Sequence, residues 1–249
     1  MLTLVIAAGG VALVVVNIFR RVRAADFPAL MLKTGCGVMF ILTAAAALVT
    51  TREALSMPNL LLGMTVVLGL FFGLLGDVWL GVKELARPEH YDGYFKAGFG
   101  SFGLGHLCFV AGMLLVYRPG WLSIAGSVLL ATIIPAVLVF GAKWLRLDFG
   151  DFKWIAAGYG FLLCWTTAVG FISAYLGTQP GAIAAYSCCY PILQPELMGI
   201  GGAAFLVSDL ILAAVYFGGL NDSRWAHAGC YIFYYGAQFT IALSLLALV

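Results

Sequence analysis

The sequence predicts an all-α protein: a polytopic membrane helix bundle of about eight transmembrane helices, with the N-terminus and C-terminus outside. Three observations carry that prediction. The chain is 63 % hydrophobic and 10 % charged, with a mean hydropathy of +1.04, where a soluble domain carries about 25 % charged residues. Its apolar stretches are long enough to cross a bilayer as helices, about 20 residues each. Its lysines and arginines collect in alternate connections. Residues 1–249 read as a single transmembrane helical domain whose surroundings are the lipid bilayer. A net charge of +2 with no basic run gives no footing for nucleic acid.

The first apolar stretch, residues 2–19, follows Met1 without a basic segment or a small-residue cleavage site, so it reads as a retained helix and not a signal peptide. Arg20, Arg21 and Arg23 follow it. Helix two covers 28–49 with Lys33 in its first turns, and a short loop holds Arg52 and Pro58. Helix three covers 59–82 and contains Asp77. The mixed-charge stretch KELARPEHYDGYFK reads as an aqueous loop. Helix four, 97–117, contains His106; Arg118, Pro119 and Gly120 make a tight turn into helix five, 121–141. The charged stretch KWLRLDFGDFK precedes helix six, 154–176. Residues 177–195 are uncharged but broken by Pro180, Pro191 and Pro195, and read as a loop on the membrane surface, with a re-entrant segment as the alternative. Helix seven, 196–217, contains Asp209; NDSR makes the last turn, and helix eight runs from 226 to the end.

The connections after helices one, three, five and seven hold ten lysines and arginines; those after two, four and six hold Arg52, Arg118 and none. The positive-inside bias therefore puts the odd connections in the cytoplasm. At about 1.5 Å per residue, Asp77 and Lys33 fall near the cytoplasmic surface, while His106, Asp209, Tyr234 and Gln238 fall nearer the midplane. Short loops and glycine- and cysteine-rich spans point to a bacterial inner membrane, with the endoplasmic-reticulum membrane as the alternative.

Two stretches carry the chemistry: GLFFGLLGDVWL at 69–80, with Asp77, and GGAAFLVSDLILA at 201–213, with Asp209. A charged side chain inside a span costs about 2.5–3.5 kcal/mol on insertion scales, and so needs a partner, water or a proton. Each aspartate either locks the bundle by pairing with a lysine or tyrosine or acts on a ligand. That there are two, both deep, favours function, and we expect them to face one cavity. An offset of 132 residues maps Asp77 to Asp209, Gly69 to Gly201, Phe102 to Tyr234 and His106 to Gln238 without a gap. Helices three and four thus resemble seven and eight. They read as parts of two parallel four-helix repeats, or as chance similarity between apolar segments.

Asp77 shares a helix face with Gly69 and Gly73, and Asp209 with Gly201 and Phe205. His106 is a hydrogen-bonding core residue or a site residue. Tyr231, Tyr234, Tyr235 and Gln238 form one stripe on helix eight, and the depth of Gln238 turns that stripe toward a cavity. Lys33 either snorkels to the surface or reaches a phosphate. Asn17 and Tyr159 are weaker candidates. Six cysteines form no CxxC and read as small core residues, with a redox role for the adjacent Cys188 and Cys189 as the alternative. Three histidines at these spacings do not make a metal site, and none is expected.

Several of these segments together resemble the lysoplasmalogenase (YhhN-like) membrane family. They are GLxxxxxGDxxL around Asp77, the 102–106 segment, Ser208-Asp209 followed by Leu212-Ala213, Tyr234-Tyr235-Gly-Ala-Gln238, and Lys33 near the start of helix two. Order and spacing match across nearly the whole chain. The sequence departs from the family's usual pattern at Gly73 (usually serine), Thr34 (usually proline) and Phe109 (usually tyrosine), and in a longer 177–195 stretch. The resemblance implies an eight-helix hydrolase without an organic cofactor. Such an enzyme cleaves the vinyl-ether bond of lysoplasmalogens to a fatty aldehyde and glycerophosphocholine or glycerophosphoethanolamine.

That chemistry suits the residues. Vinyl ethers hydrolyse through protonation at carbon and an oxocarbenium ion, and a pair of carboxyl groups serves a similar transition state in glycosidases. Two carboxyl groups in one apolar cavity split readily into an acid and a carboxylate. We therefore expect Asp77 and Asp209 as the catalytic pair, with the deeper Asp209 as donor. On this reading Lys33 contacts the phosphate of a lysophospholipid substrate. His106, Tyr235 and Gln238 orient water or the ether oxygen, and Tyr159, Ser208 and Tyr234 complete the binding residues. A proton-coupled transporter of a small or lipid-like solute is the alternative. A retinal protein is excluded by the absence of lysine from helices seven and eight. Nothing in the sequence sets the oligomeric state.

Overall fold

A computed structural model describes residues 1–21, 26–179, 192–221 and 223–248. Among the described residues eight helices are long and apolar enough to cross a membrane. They are α1 (Leu2–Arg21), α2 (Phe27–Thr51), α3 (Met57–Leu85), α4 (Tyr91–Tyr117), α5 (Trp121–Gly141), α6 (Lys153–Gly177), α7 (Leu193–Phe217) and α8 (Arg224–Leu243). A turn of 3₁₀ helix, Ser244–Ala247, extends α8. The all-helical reading is therefore correct in kind and number.

Local chemistry sets the helix starts. Asp26 caps α2 by accepting from the Ala29 amide at 2.9 Å, with Pro28 in the first turn, where a missing N–H costs nothing. Ser223 caps α8 through the Ala226 amide at 3.2 Å. α4 stops at Arg118, which turns the chain with φ +43° before Pro119 and Gly120. Two helices run further than hydropathy suggests. α3 continues to Leu85 and α4 begins at Tyr91, so most of the stretch expected to be an aqueous loop is helical, with a 3₁₀ turn at Pro88–His90 between. The backbone ladder continues past the apolar stretch because polar residues at a helix end can project into the headgroup region. Lys83, in the last turn of α3, packs its ammonium 4.5 Å from the Phe95 ring centre and 4.1 Å from that of Tyr216. α7 begins at Leu193, placing Pro195 in its first turn and not in a loop. The rest of the expected surface loop, with Cys188 and Cys189, lies outside the described residues.

Both ends of the chain meet at the end of the bundle where α2 passes to α3. Thr3 and Thr50 share a hydrogen bond of 3.1 Å, and Asn59 donates to the Leu248 carbonyl at 2.7 Å. The basic connections expected to be cytoplasmic lie at the opposite end.

The packing order is the same in the two halves. α1 packs on α2, α2 on α3 and α3 on α4; likewise α5 on α6, α6 on α7 and α7 on α8. Across the halves α4 meets α6 as α8 meets α2. The 132-residue offset holds at the level of contacts. A Cβ on Gly69 would lie 2.8 Å from the Gly105 carbonyl and collide with Phe109; a Cβ on Gly201 would lie 3.2 Å from the Ala237 carbonyl and 2.6 Å from Ile241. The same shift relates 105 to 237 and 109 to 241. Glycine on this face is thus used for close approach of neighbouring helices, which is how membrane bundles without a hydrophobic drive gain packing.

Gly69→Ala is expected to destabilise the detergent-purified protein by about 1–3 kcal/mol through overpacking. Gly100→Ala, with open space around its Cβ, should leave the melting temperature at or slightly above that of the parent. Equal melting curves for the two variants would overturn this account of the α3–α4 crossing.

Candidate functional site

Asp77 is 2 % exposed, eight residues before the end of α3. The extension of α3 to Leu85 sets it about 12 Å from that end at 1.5 Å per residue. Two helices reach it. Lys33 of α2 approaches Oδ1 with its Nζ at 3.1 Å, both side chains being almost completely buried. Tyr234 of α8 donates its hydroxyl to Oδ2 at 2.6 Å. Gln238, one turn further along α8, donates from Nε2 to the Tyr234 oxygen at 3.1 Å and fixes the direction of that hydroxyl. Gln238 fits because position 73 has no side chain: a Cβ there would stand 2.9 Å from its Nε2.

The reading of Lys33 as a residue that snorkels to the surface is therefore corrected. Its side chain turns inward because an unpaired carboxylate at Asp77 costs more than ordering the lysine. The bundle-locking pairing is present at both aspartates: Asp77 joins α2, α3 and α8 through Lys33 and Tyr234, and Asp209 joins α7 to α6 through Tyr159.

Asp209 is held differently. Tyr159 of α6 donates its hydroxyl to Oδ2 of Asp209, and among the described residues no lysine or arginine lies within 4 Å of it. The preceding Ser208 donates to the Cys230 carbonyl at 3.0 Å, fixing α7 against α8 next to the carboxylate. Tyr159, a weak candidate from sequence, is the direct partner of Asp209. Its signal was slight, because an aromatic residue at the start of a span usually marks the membrane interface.

One cavity of about 680 Å³, including its mouth, brings these groups together. Lys33, Asp77, Tyr159, Ser208, Asp209 and Tyr234 all line it. Glu84, Tyr216, His227 and Tyr231 line it toward the end that carries the α3–α4 and α7–α8 connections. Tyr231 faces the cavity as the α8 stripe suggests; Glu84, Tyr216 and His227 were not singled out, because each lies where a helix leaves the apolar zone and resembles an ordinary interfacial side chain.

Three expected site residues do not line the cavity. His106 is buried behind it: its Nδ1 lies 3.1 Å from the Thr166 hydroxyl, and its ring packs edge-on to Phe205 at 4.8 Å. Tyr235 accepts from the Asn17 amide at 3.2 Å and stacks on Tyr231. Gln238 reaches the site through Tyr234. The physical reason is spacing: Tyr234 takes the cavity-facing position, so its neighbour Tyr235 points to α1 and Gln238 lies a turn deeper.

The features define a polytopic α-helical membrane protein with an acidic site inside the bundle. The chain belongs to the YhhN family, whose model matches residues 30–245. Comparison with curated proteins returned no match, and neither did comparison with solved structures.

Removing one partner of a buried ion pair leaves an uncompensated charge and typically costs about 3–5 kcal/mol. Lys33→Met is expected to lower thermal stability in detergent by that order. The double variant Lys33→Met with Asp77→Asn should recover a substantial part of it. Strictly additive losses in this double-mutant cycle would show that the pair is not coupled.

Proposed function

We propose that this chain is a membrane hydrolase that cleaves the vinyl-ether bond of lysoplasmalogens. The observation that carries the reading is one cavity holding two carboxyl groups in unlike surroundings: Asp77 beside a lysine, and Asp209 beside a tyrosine with no lysine or arginine within 4 Å among the described residues. Family membership supports a hydrolase, and the cavity supports a substrate that is part polar and part apolar.

The steps follow from that asymmetry. Asp77, compensated by Lys33, is the carboxylate. Asp209, without a cation, is the acid; Tyr159 occupies Oδ2, which leaves Oδ1 to carry the proton. Asp209 delivers this proton to the vinyl carbon remote from the ether oxygen, and the double bond becomes an oxocarbenium ion. Asp77 stabilises the cation through space. Water adds to the cationic carbon and gives its proton to the Asp209 carboxylate, forming a hemiacetal. Collapse then moves the hemiacetal proton to the glycerol oxygen and releases a fatty aldehyde and the glycerophospho alcohol, with one water consumed. Tyr159 and Tyr234 hold the two carboxylates in place. His106, Tyr235 and Gln238 are positioning residues behind the wall. Lys33 both balances Asp77 and presents a positive charge to the lipid phosphate. The cavity mouth lies at the end bearing most of the basic residues, and the positive-inside bias supports a polar head that faces the cytoplasm.

The test is aldehyde release from choline and ethanolamine lysoplasmalogens by the detergent-purified protein. General acid–base groups contribute about 10²–10⁴-fold. Asp77→Asn and Asp209→Asn are each expected to lose at least about 10²-fold while eluting as folded protein. Tyr159→Phe should lower kcat more than it changes KM. An active Asp209→Asn variant would overturn the assignment of the acid. No release by folded parent protein, together with proton-coupled solute flux in vesicles, would replace the hydrolase by a transporter.

A further inference from the structure

A second cavity adjoins the first. It is an open cleft between α5, α6 and α7. α5 and α7 both pack on α6, and the cleft runs between them. Its lining on α6 extends from Lys153 to Cys164, about 16 Å of helix. That is about half of the ~30 Å hydrocarbon thickness of a bilayer, the depth of one leaflet. The lining is apolar almost throughout, including Pro135 and Leu138 of α5, Ala157 and Gly160 of α6, and Leu206 and Leu210 of α7. Leu210 is 38 % exposed, so the cleft reaches the lipid-facing surface. The floor is made of small residues: even a Cβ on Gly160 would meet only Pro135, at 3.7 Å.

The partition between the two cavities explains why they belong together. Phe99, Tyr159, Asp209, Leu212 and Tyr216 line both. The Tyr159–Asp209 hydrogen bond therefore stands between a chamber that sets Lys33 and Asp77 among apolar residues and a more apolar one open to the bilayer. A site that places a reacting carboxyl group on this boundary suits a bond that joins a hydrocarbon chain to a polar head.

We infer that the α5–α6–α7 cleft is the site that takes the aliphatic chain of a single-chain lipid, entered sideways from the bilayer, while the head occupies the central cavity. This rests on the proposed hydrolase reading for the identity of the bond, but the chain site is a binding claim with its own readout. Gly160 determines how much chain the cleft admits: a leucine there projects its side chain into the space that the chain would fill.

The experiment uses a saturated alkyl-ether lysophospholipid carrying a diazirine at the chain terminus, which the enzyme does not hydrolyse. The full chain, in lipid nanodiscs, is irradiated with this probe, and labelled residues are mapped by mass spectrometry. Label is expected on the cleft faces of α5 and α7, around Leu138 and Leu210. Gly160→Leu should lower it about tenfold, while Gly158→Leu, where the added Cβ meets nothing within 4 Å, labels as the parent does. Label scattered over outward-facing residues such as Leu129 and Phe140, and unchanged by Gly160→Leu, would overturn the inference. In parallel, the ratio of kcat/KM for long-chain over short-chain vinyl-ether substrates should fall about tenfold in Gly160→Leu. Labelling in the cleft without any aldehyde release would sink the hydrolase reading and leave the chain site standing. Aldehyde release with scattered label would do the reverse.

Discussion

Asp77 carries a carboxylate into a bundle where almost everything around it is hydrocarbon, and the arrangement of three helices follows from compensating it. Lys33 comes from α2 and Tyr234 from α8, so the carboxylate is also the point where the first and last parts of the chain meet. Gln238 and the missing side chain of Gly73 hold the tyrosine to its task. Side-chain hydrogen bonds between membrane helices average only about 0.6 kcal/mol, so these contacts do not hold the bundle together by strength. They act by exclusion: any other rotation of α2 or α8 leaves a buried charge unpaired.

The two halves show what the same framework does without the lysine. The 132-residue offset maps Gly69 onto Gly201 with equivalent helix crossings, and Gly73 beside Gln238 corresponds to Phe205 beside His106. Asp209, however, has Phe102 where Asp77 has Tyr234, and a phenylalanine donates nothing. It is served instead by Tyr159 from α6, outside the offset. Two aspartates at corresponding places on one framework thus acquire different partners. Their chemical difference comes from different partners within a shared geometry and needs no difference of fold.

Much of this was legible in the sequence. Eight spans follow from hydropathy because the bilayer sets a fixed length, and the two aspartates stand out because acidic side chains in such spans are costly. What was hidden has separate causes. Helix ends were read short at Lys83–Leu85 and Tyr91–Lys96 because hydropathy marks the edge of the apolar zone, whereas the backbone ladder ends where hydrogen bonding does. Lys33 looked like a surface anchor for another reason: its partner Asp77 lies 44 residues away on the neighbouring helix, a pairing that no local pattern marks. Which face of α8 meets the cavity could not be chosen among Tyr231, Tyr234 and Tyr235 by periodicity, since all three lie within little more than one turn. Contact with α1 and α3 decides it. Tyr159 was undervalued because its partner lies 50 residues away on another helix.

The cleft beside α5 changes how the site as a whole is read. A buried carboxyl pair reached only through a polar mouth would suit a small water-soluble solute, as a transporter would carry. Asp209 and Tyr159 instead stand on the wall between the chamber that holds Lys33 and Asp77 and an apolar cleft that reaches the lipid-facing surface at Leu210. For a molecule with a head and a chain, this wall is where the two parts join. The position also explains why, among the described residues, no lysine or arginine stands within 4 Å of Asp209. A lysine on the cleft side would place its ammonium among Leu206, Leu210 and Ala213, where nothing solvates it, whereas a tyrosine presents an apolar ring to the cleft and its hydroxyl to the carboxylate. The chemistry of the acid and the shape of the lipid cleft are thus two consequences of one choice of partner.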